Sequence, residues 1–146
     1  VEHALAAVDA PMAATGSPRP TWVLLLQATS PVRHPGTIDR AIAQAFDTGV
    51  DSLVGVVPAS PFLWRGHPEV TPAYDVARRP RRQDFAPGDE VFRETGSLYL
   101  TRREIYEREH NRIGGQVGLF LMAADEGLDI DTEDDLQVAA ALLGRG

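Results

Sequence analysis

Residues 22–33 read Trp-Val-Leu-Leu-Leu-Gln-Ala-Thr-Ser-Pro-Val-Arg, and they limit the choice of fold more than any other stretch. Trp22 to Leu26 is a short, unbroken apolar run between turn signals. Such a run predicts a strand covered on both faces, as in a parallel sheet. It stops abruptly at Gln27, Ala28, Thr29, Ser30 and Pro31, which are small, polar or turn-forming. Open α/β sheets bind ligands beyond the carboxyl ends of their strands. The polar cluster is therefore the first candidate for a site.

The neighbouring segments support an α/β reading. Thr37 is placed as an N-cap, and Ile38, Ala41, Ile42, Ala45 and Phe46 form a helical stripe that Gly49 can stop. Ser52 to Val57 is a second β-rich run. Strand, helix, strand at these lengths is a βαβ unit with a right-handed crossover. Upstream, Val1 to Asp9 has helical apolar spacing, and Pro11 to Pro20 has loop composition. Downstream, strands are expected at Gly96 to Thr101 and, buried, at Val117 to Met122, with a charged helix from Arg102 to Glu109 between them. Asn111 to Gly115 is a turn. Thr132 is expected to cap a last helix whose buried face is Leu136, Ala139, Ala140 and Leu143.

Residues 58–95 break the pattern. Pro58, Pro61, Pro68, Pro72, Pro80 and Pro87 alternate with Phe62, Trp64, Tyr74, Phe85 and Phe92. The segment is too long for an ordinary connection, and its aromatics argue for order. An ordered excursion within one domain of residues 1–146, acting as a lid or oligomerisation arm, is expected.

Composition narrows the chemistry. With no cysteine, thiolate zinc sites, disulfides and cysteine nucleophiles are excluded. No apolar run approaches the length of a membrane span. The first residue is Val1, which fits a processed, trimmed or fragmentary chain, and a cytoplasmic location is expected. A net charge of −7 argues against nucleic-acid binding. All 14 cationic side chains are arginine. Arg65, Arg78, Arg79, Arg81, Arg82 and Arg93 lie in the middle, and Asp125 to Asp135 is rich in acids. Basic and acidic blocks in one small domain suit an anionic ligand bound together with a cation.

Asp129 and Asp131 are two residues apart, so on extended backbone their side chains share a face. Mg2+ takes one or two protein carboxylates and completes its shell with water and phosphates. A Mg2+–nucleotide site is one reading, and an acidic helix start complementing the dipole is the other; spacing alone does not separate them. Gln27, Thr29 and Ser30 could bind sugar hydroxyls or a carboxylate, or could simply close a strand. Arg33 could clamp an anion or lie in solvent. The run Arg78-Arg-Pro-Arg81-Arg82-Gln83-Asp84 could capture carboxylate or phosphate, or be a solvated charge cluster. His3, His34, His67 and His110 lack ligand spacing, and no glycine-rich phosphate loop opens a helix.

Three motifs occur in order: Leu25-Leu-Gln-Ala-Thr-Ser-Pro-Val-Arg33, Arg81-Arg-Gln-Asp84 followed by Gly96-Ser-Leu-Tyr99, and Asp129-Ile-Asp-Thr-Glu-Asp-Asp-Leu136. In this the chain resembles the acylneuraminate cytidylyltransferases (CMP-sialic acid synthetases). The resemblance implies a Rossmann-like nucleotidyltransferase sheet, of the nucleotide-diphospho-sugar transferase kind, with a dimerisation excursion. It implies transfer of CMP from CTP to a 2-keto sugar acid, with release of pyrophosphate. On that likeness Asp129 and Asp131 are the catalytic, Mg2+-holding acids. Gln27, Thr29, Ser30 and Arg33 contact the substrate. Arg81, Arg82 and Gln83 act near a carboxylate or phosphates from the arm of a homodimer, and Tyr99 lines the pocket. The family opens with a strand and a Gly/Arg/Lys-rich loop for the triphosphate, which nothing here matches, so an N-terminally truncated member is expected. Thr95 stands where the family often has Asn, and Arg65 stands in for a common arm lysine. A non-catalytic, dimer-forming or sugar-binding relative is the alternative. Within the enzyme class, another keto acid or a phosphonate is an alternative acceptor.

Overall fold

The computed structural model describes residues 1–81, 84–85 and 88–144. Helices are α1 (Glu2–Thr15), α2 (Thr37–Thr48), α3 (Arg103–Glu109) and α4 (Glu133–Leu143). Strands are β1 (Trp22–Leu25), β2 (Ser52–Ala59), β3 (Trp64–Arg65), β4 (Thr71–Pro72), β5 (Val91–Arg102) and β6 (Val117–Leu121). A 3-10 turn, Ala124–Gly127, precedes α4.

The main sheet is mixed, in the order β1-β5-β2-β6. β5 runs antiparallel to β1 and to β2, and β6 runs parallel to β2. The α/β class matches the expectation, but the place of Trp22–Leu25 does not. β1 is a half-buried end strand with an antiparallel partner, and β5 lies between it and β2. An apolar run reports burial and not the direction of the neighbour. The strand covered on both faces is β2, where Leu53, Val54, Val56 and Val57 are all buried. β6 is likewise less enclosed than expected, with Val117, Leu119 and Leu121 exposed.

Two layers of core flank the sheet. Ala41 and Ala45 of α2 pack on Leu53, Val57, Leu98, Leu100, Phe120 and Met122. Alternation along the strands sends Val54, Val56 and Tyr99 to the other face, with Leu25 and Ile113 against them. Phe46, the last residue of the predicted α2 stripe, is exposed but its ring centroid lies 5.5 Å from that of Trp22. The cap of α2 differs from the prediction. Gly36, at φ 78, is the N-cap, and Thr37 is the first helical residue with its hydroxyl turned inward. Gly49, at φ 68, ends the helix as expected.

Other boundaries move for identifiable reasons. α1 continues through Pro11 to Thr15 and buries none of its residues. Polar contacts hold it: both Asp9 carboxylate oxygens accept from the Arg103 guanidinium, and Glu2 lies 2.8 Å from His110 Nδ1. In α4 only Ala139 is buried, while Leu136, Ala140 and Leu143 are exposed. The long connection is trimmed at both ends, because β2 runs to Ala59 and β5 starts at Val91. Within it β3 and β4 pair as an antiparallel ribbon. Tyr74 meets Phe62 and Trp64 edge-on, and the Arg79 guanidinium sits 4.3 Å over Phe62. Among the described residues no helix is long and apolar enough to cross a membrane.

One buried acid fixes the segment that carries the candidate site. Glu126 is 1% exposed. Its carboxylate accepts from the His34 amide at 2.9 Å, the Thr37 hydroxyl at 2.6 Å and the Ala123 amide at 3.0 Å. Burial works to raise its pKa, but these donors, with the nearby His34, hold the carboxyl below its ordinary value. A depressed carboxyl pKa stabilises the fold above the unfolded-state value, and that stability is lost as pH falls through the folded-state value. Glu126→Gln should therefore flatten the loss of stability seen as pH drops below about 4.5. Glu126→Ala should cost about 2–3 kcal/mol by leaving buried donors unpaired. Urea melts at stepped pH check both outcomes.

Candidate functional site

The site forms where the end of β1, a bulge in β5 and the stretch after the 3-10 turn meet. The β2–β5 register shifts between Val54 and Val56, and Gly96 sits in the bulge at φ 71. Thr95, buried beside it, donates its hydroxyl to the Gly55 carbonyl and accepts from the Ser97 amide, both at 3.1 Å. Thr95 thus bridges the irregularity with its side chain. The absence of a side chain at Gly96 lets three groups converge. A Cβ placed there would run into the Gln27 amide and lie 3.2 Å from Ser30 Oγ and 3.4 Å from Asp129 Oδ2.

Asp129 is half-buried, and its Oδ1 accepts from Ser30 Oγ at 3.1 Å. Ser30 is wholly enclosed, and its single hydroxyl proton is shared between Asp129 and the Thr95 carbonyl, at 3.2 Å. In this arrangement the Ser30 hydroxyl faces Asp129 and the Thr95 carbonyl, which places it to orient the Asp129 carboxylate. The Ile130 amide donates to the Thr29 carbonyl at 2.8 Å, tying the two loops together by backbone while the Thr29 side chain remains exposed. Asp131 is exposed, and among the described residues no hydrogen bond or ion pair occupies its carboxylate. Its amide donates to Asp135, which also pairs with Thr132 in the capping box of α4. The predicted cap at Thr132 is thus present, and Asp135 belongs to it.

Gln27 lies between two arginines. Arg33 donates to the Gln27 carbonyl at 3.2 Å and to the Ser97 carbonyl at 3.0 Å. With its amide oriented so that both ends are satisfied, Gln27 donates to the Gly96 carbonyl and accepts from Arg112 Nη1 at 3.3 Å. Arg112 Cζ lies 5.1 Å from the centroid of the Tyr99 ring. Tyr99 is buried, and its hydroxyl donates to Glu94 at 2.9 Å. Its pKa is pushed up to about 12, first by burial, then by Glu94, with Asp129 adding and Arg112 opposing. Beside this group is a hollow of about 570 Å³ bounded by Leu25, Tyr106, Asn111 and Arg112, and by Val1 to His3 of the amino terminus.

The structure thus assembles Gln27, Ser30, Arg33, Tyr99 and Asp129. It does not tie Arg81 to them: that side chain is exposed and forks onto Asp84, three residues away. Arg82 and Gln83 lie outside the described residues. Sequence reasoning missed Glu94 and Arg112, which reach the site through a bulge and a turn that leave no periodic signal. His34 and His110 pair with Asp125 and Glu2 at the surface.

Two acids suit a hard cation. Among the described residues no three His, Cys, Asp or Glu side chains gather as a metal cluster. Mg2+ needs only one or two carboxylates when substrate phosphates complete its shell. Asp129 is anchored by Ser30, and no cationic side chain pairs with Asp129 or Asp131 among the described residues. These two carboxylates are the groups that could hold such an ion.

No protein-family model matches the chain. Curated proteins do. N-acylneuraminate cytidylyltransferase B of Danio rerio is 32% identical over 120 residues, which is 78% of this chain and 27% of that protein. Cytidylyltransferase A of the same fish is 33% identical over the same extent. The N-acylneuraminate cytidylyltransferase of Streptococcus agalactiae serotype V is 30% identical over 117 residues, 77% of this chain and 28% of its own length. Over this segment the chain belongs to the N-acylneuraminate cytidylyltransferase family. It spans little more than a quarter of the length of the curated relatives it matches. Within the cytidylyltransferase segment, Gly96 is where the groups of the site converge. Gly96→Ala should displace Gln27, crowd Ser30 and strain a left-handed residue, lowering stability by about 1–2 kcal/mol. Thermal unfolding reads the loss, and an unchanged melting temperature would contradict the crowding described here.

Proposed function

We propose that the chain carries the acceptor side and the acidic pair of a cytidylyltransferase. The reaction joins CMP from CTP to a 2-keto sugar acid and releases pyrophosphate. The observation that carries this reading is the convergence of Gln27, Ser30 and Asp129 on Gly96 at the carboxyl end of β1. Asp129 and Asp131 would hold Mg2+, which supplies neutralisation of the charge on the phosphate oxygens. The chain's own groups position the reactants. Ser30 orients Asp129, the Gln27 amide and Arg33 flank the acceptor, and Tyr99, protonated throughout the neutral range, walls the pocket. The acceptor hydroxyl then meets the α-phosphorus in line, forming the new P–O bond as the bond to pyrophosphate breaks and the hydroxyl proton passes to water. Holding two reactants in line is the largest protein contribution to such a step.

The wider reading is a Rossmann-like nucleotidyltransferase sheet in a cytoplasmic enzyme. The β3–β4 ribbon serves as a dimerisation arm. Leu63, Trp64, Val70 and Val76 are exposed there, a concentration of apolar side chains that suits contact with a second copy. A second reading, a non-catalytic sugar-binding or dimer-forming relative, draws on the same exposed apolar side chains of the ribbon.

Turnover of CTP and N-acetylneuraminate with Mg2+ separates the two. The enzyme reading expects a CMP conjugate and a loss on the order of 100-fold or more for Asp129→Asn. Ser30→Ala, which frees the carboxylate without removing it, should raise the Mg2+ concentration needed for half-maximal turnover by roughly 10- to 100-fold. Absence of any conjugate, together with sugar-acid binding by calorimetry, would favour the non-catalytic relative. Trp64→Glu should shift a dimer toward monomer in light scattering.

A further inference from the structure

We infer that Arg112 is a specificity-determining residue that recognises an oxyanion on the acceptor. This rests on the cytidylyltransferase reading for the name of the acceptor, and on the geometry alone for the anion. A guanidinium offers five N–H donors in a fixed fork. Arg112 uses one on the Gln27 amide, at 3.3 Å, and lies over the Tyr99 ring. No carboxylate among the described residues forms an ion pair with it, although Glu94 is bound to the same tyrosine. Its remaining donors have no partner among the described residues and lie at the edge of a hollow of about 570 Å³, large enough for a sugar acid.

The placement selects the acceptor over the nucleotide phosphates. One end of the Gln27 side chain faces Gly96, where Asp129 and Ser30 converge. The other end faces Arg112. A phosphate held through a cation on Asp129 would therefore lie on one side of Gln27, and the oxyanion on the other. Arg33 cannot take the second role as freely, because its Nη2 is committed to the Gln27 and Ser97 carbonyls and its Nε is enclosed. The ring beneath Arg112 fixes the plane of the fork, which favours two-pronged contact with a carboxylate or a phosphonate.

The test pairs a protein change with a ligand change. Calorimetry on the full chain uses N-acetylneuraminate, its methyl ester, and a phosphonate analogue of the acid, against wild type and Arg112→Gln. Wild type should bind the acid or the phosphonate at least roughly 10-fold more tightly than the neutral ester. Arg112→Gln should bring both down to the level of the ester and leave the ester unchanged. Which anion wins identifies the source. Equal weakening of acid and ester would show a merely structural role for Arg112 and overturn the proposal. So would loss of CTP–Mg2+ binding in place of acid binding. A separate arm titrates the Arg112 side-chain NH by NMR with acetate and with methylphosphonate. Shifts there without any CMP conjugate would uphold the anion site while defeating the cytidylyltransferase reading. Conjugate formation with acid selectivity intact in Arg112→Gln would defeat the anion site alone. No shift with either small anion and no acid–ester difference would also defeat it.

Discussion

The position of the acidic pair depends on a carboxylate that is not part of it. Asp129 lies on a stretch without sheet hydrogen bonding, so no ladder sets its place. Glu126, three residues earlier, draws the start of α2 and the 3-10 turn onto one buried charge. The Ile130–Thr29 backbone bond closes the other end. Between these two anchors the chain has little freedom, and Ser30 Oγ needs only to select the side-chain orientation of Asp129. A buried charge of this kind is costly to desolvate, and it persists because each donor around it would itself be orphaned without it.

Charge in the site is divided along Gln27. Arg33 and Arg112 flank it, one at its backbone and the other at its amide. Glu94 and Asp129 lie near Tyr99, close enough for both charges to act on its phenol. In the proposed reaction both reactants are anions, which repel unless each is neutralised by its own partner. The arginines would serve one and a carboxylate-bound cation the other.

Much of the local structure was legible in the sequence. Gly49 stopped α2, Thr132 capped α4, and the Ala41/Ala45 stripe faced the core, because each follows from a local rule of spacing or backbone conformation. The pairing of β1 was not legible. Its apolar run is compatible with a parallel or an antiparallel neighbour, and the neighbour is more than sixty residues away. Leu136 and Leu143 carried helical spacing yet lie exposed, since periodicity marks a face without supplying anything for it to face. In the site, Gln27 and Asp129 were found through their residue types and motif. Ser30 lies beside Asp129, where the same motif put it, and Arg112 had no signal, since a residue in a turn has no periodic position.

The attachment of α1 has a further consequence. That helix buries no side chain, and its contacts with α3 and its flank are made by charged groups: the Arg103 fork on Asp9, and Glu2 beside His110. Its first residues also form one wall of the hollow at Arg112. Electrolyte, with a screening length of about 8 Å at physiological ionic strength, reaches the exposed Glu2–His110 contact and spares the enclosed Arg103–Asp9 fork. Burial of apolar surface in the sheet is not weakened in the same way. Ionic strength therefore acts on the wall of the hollow before it acts on the floor, and the width of the opening becomes a property of the medium as well as of the chain.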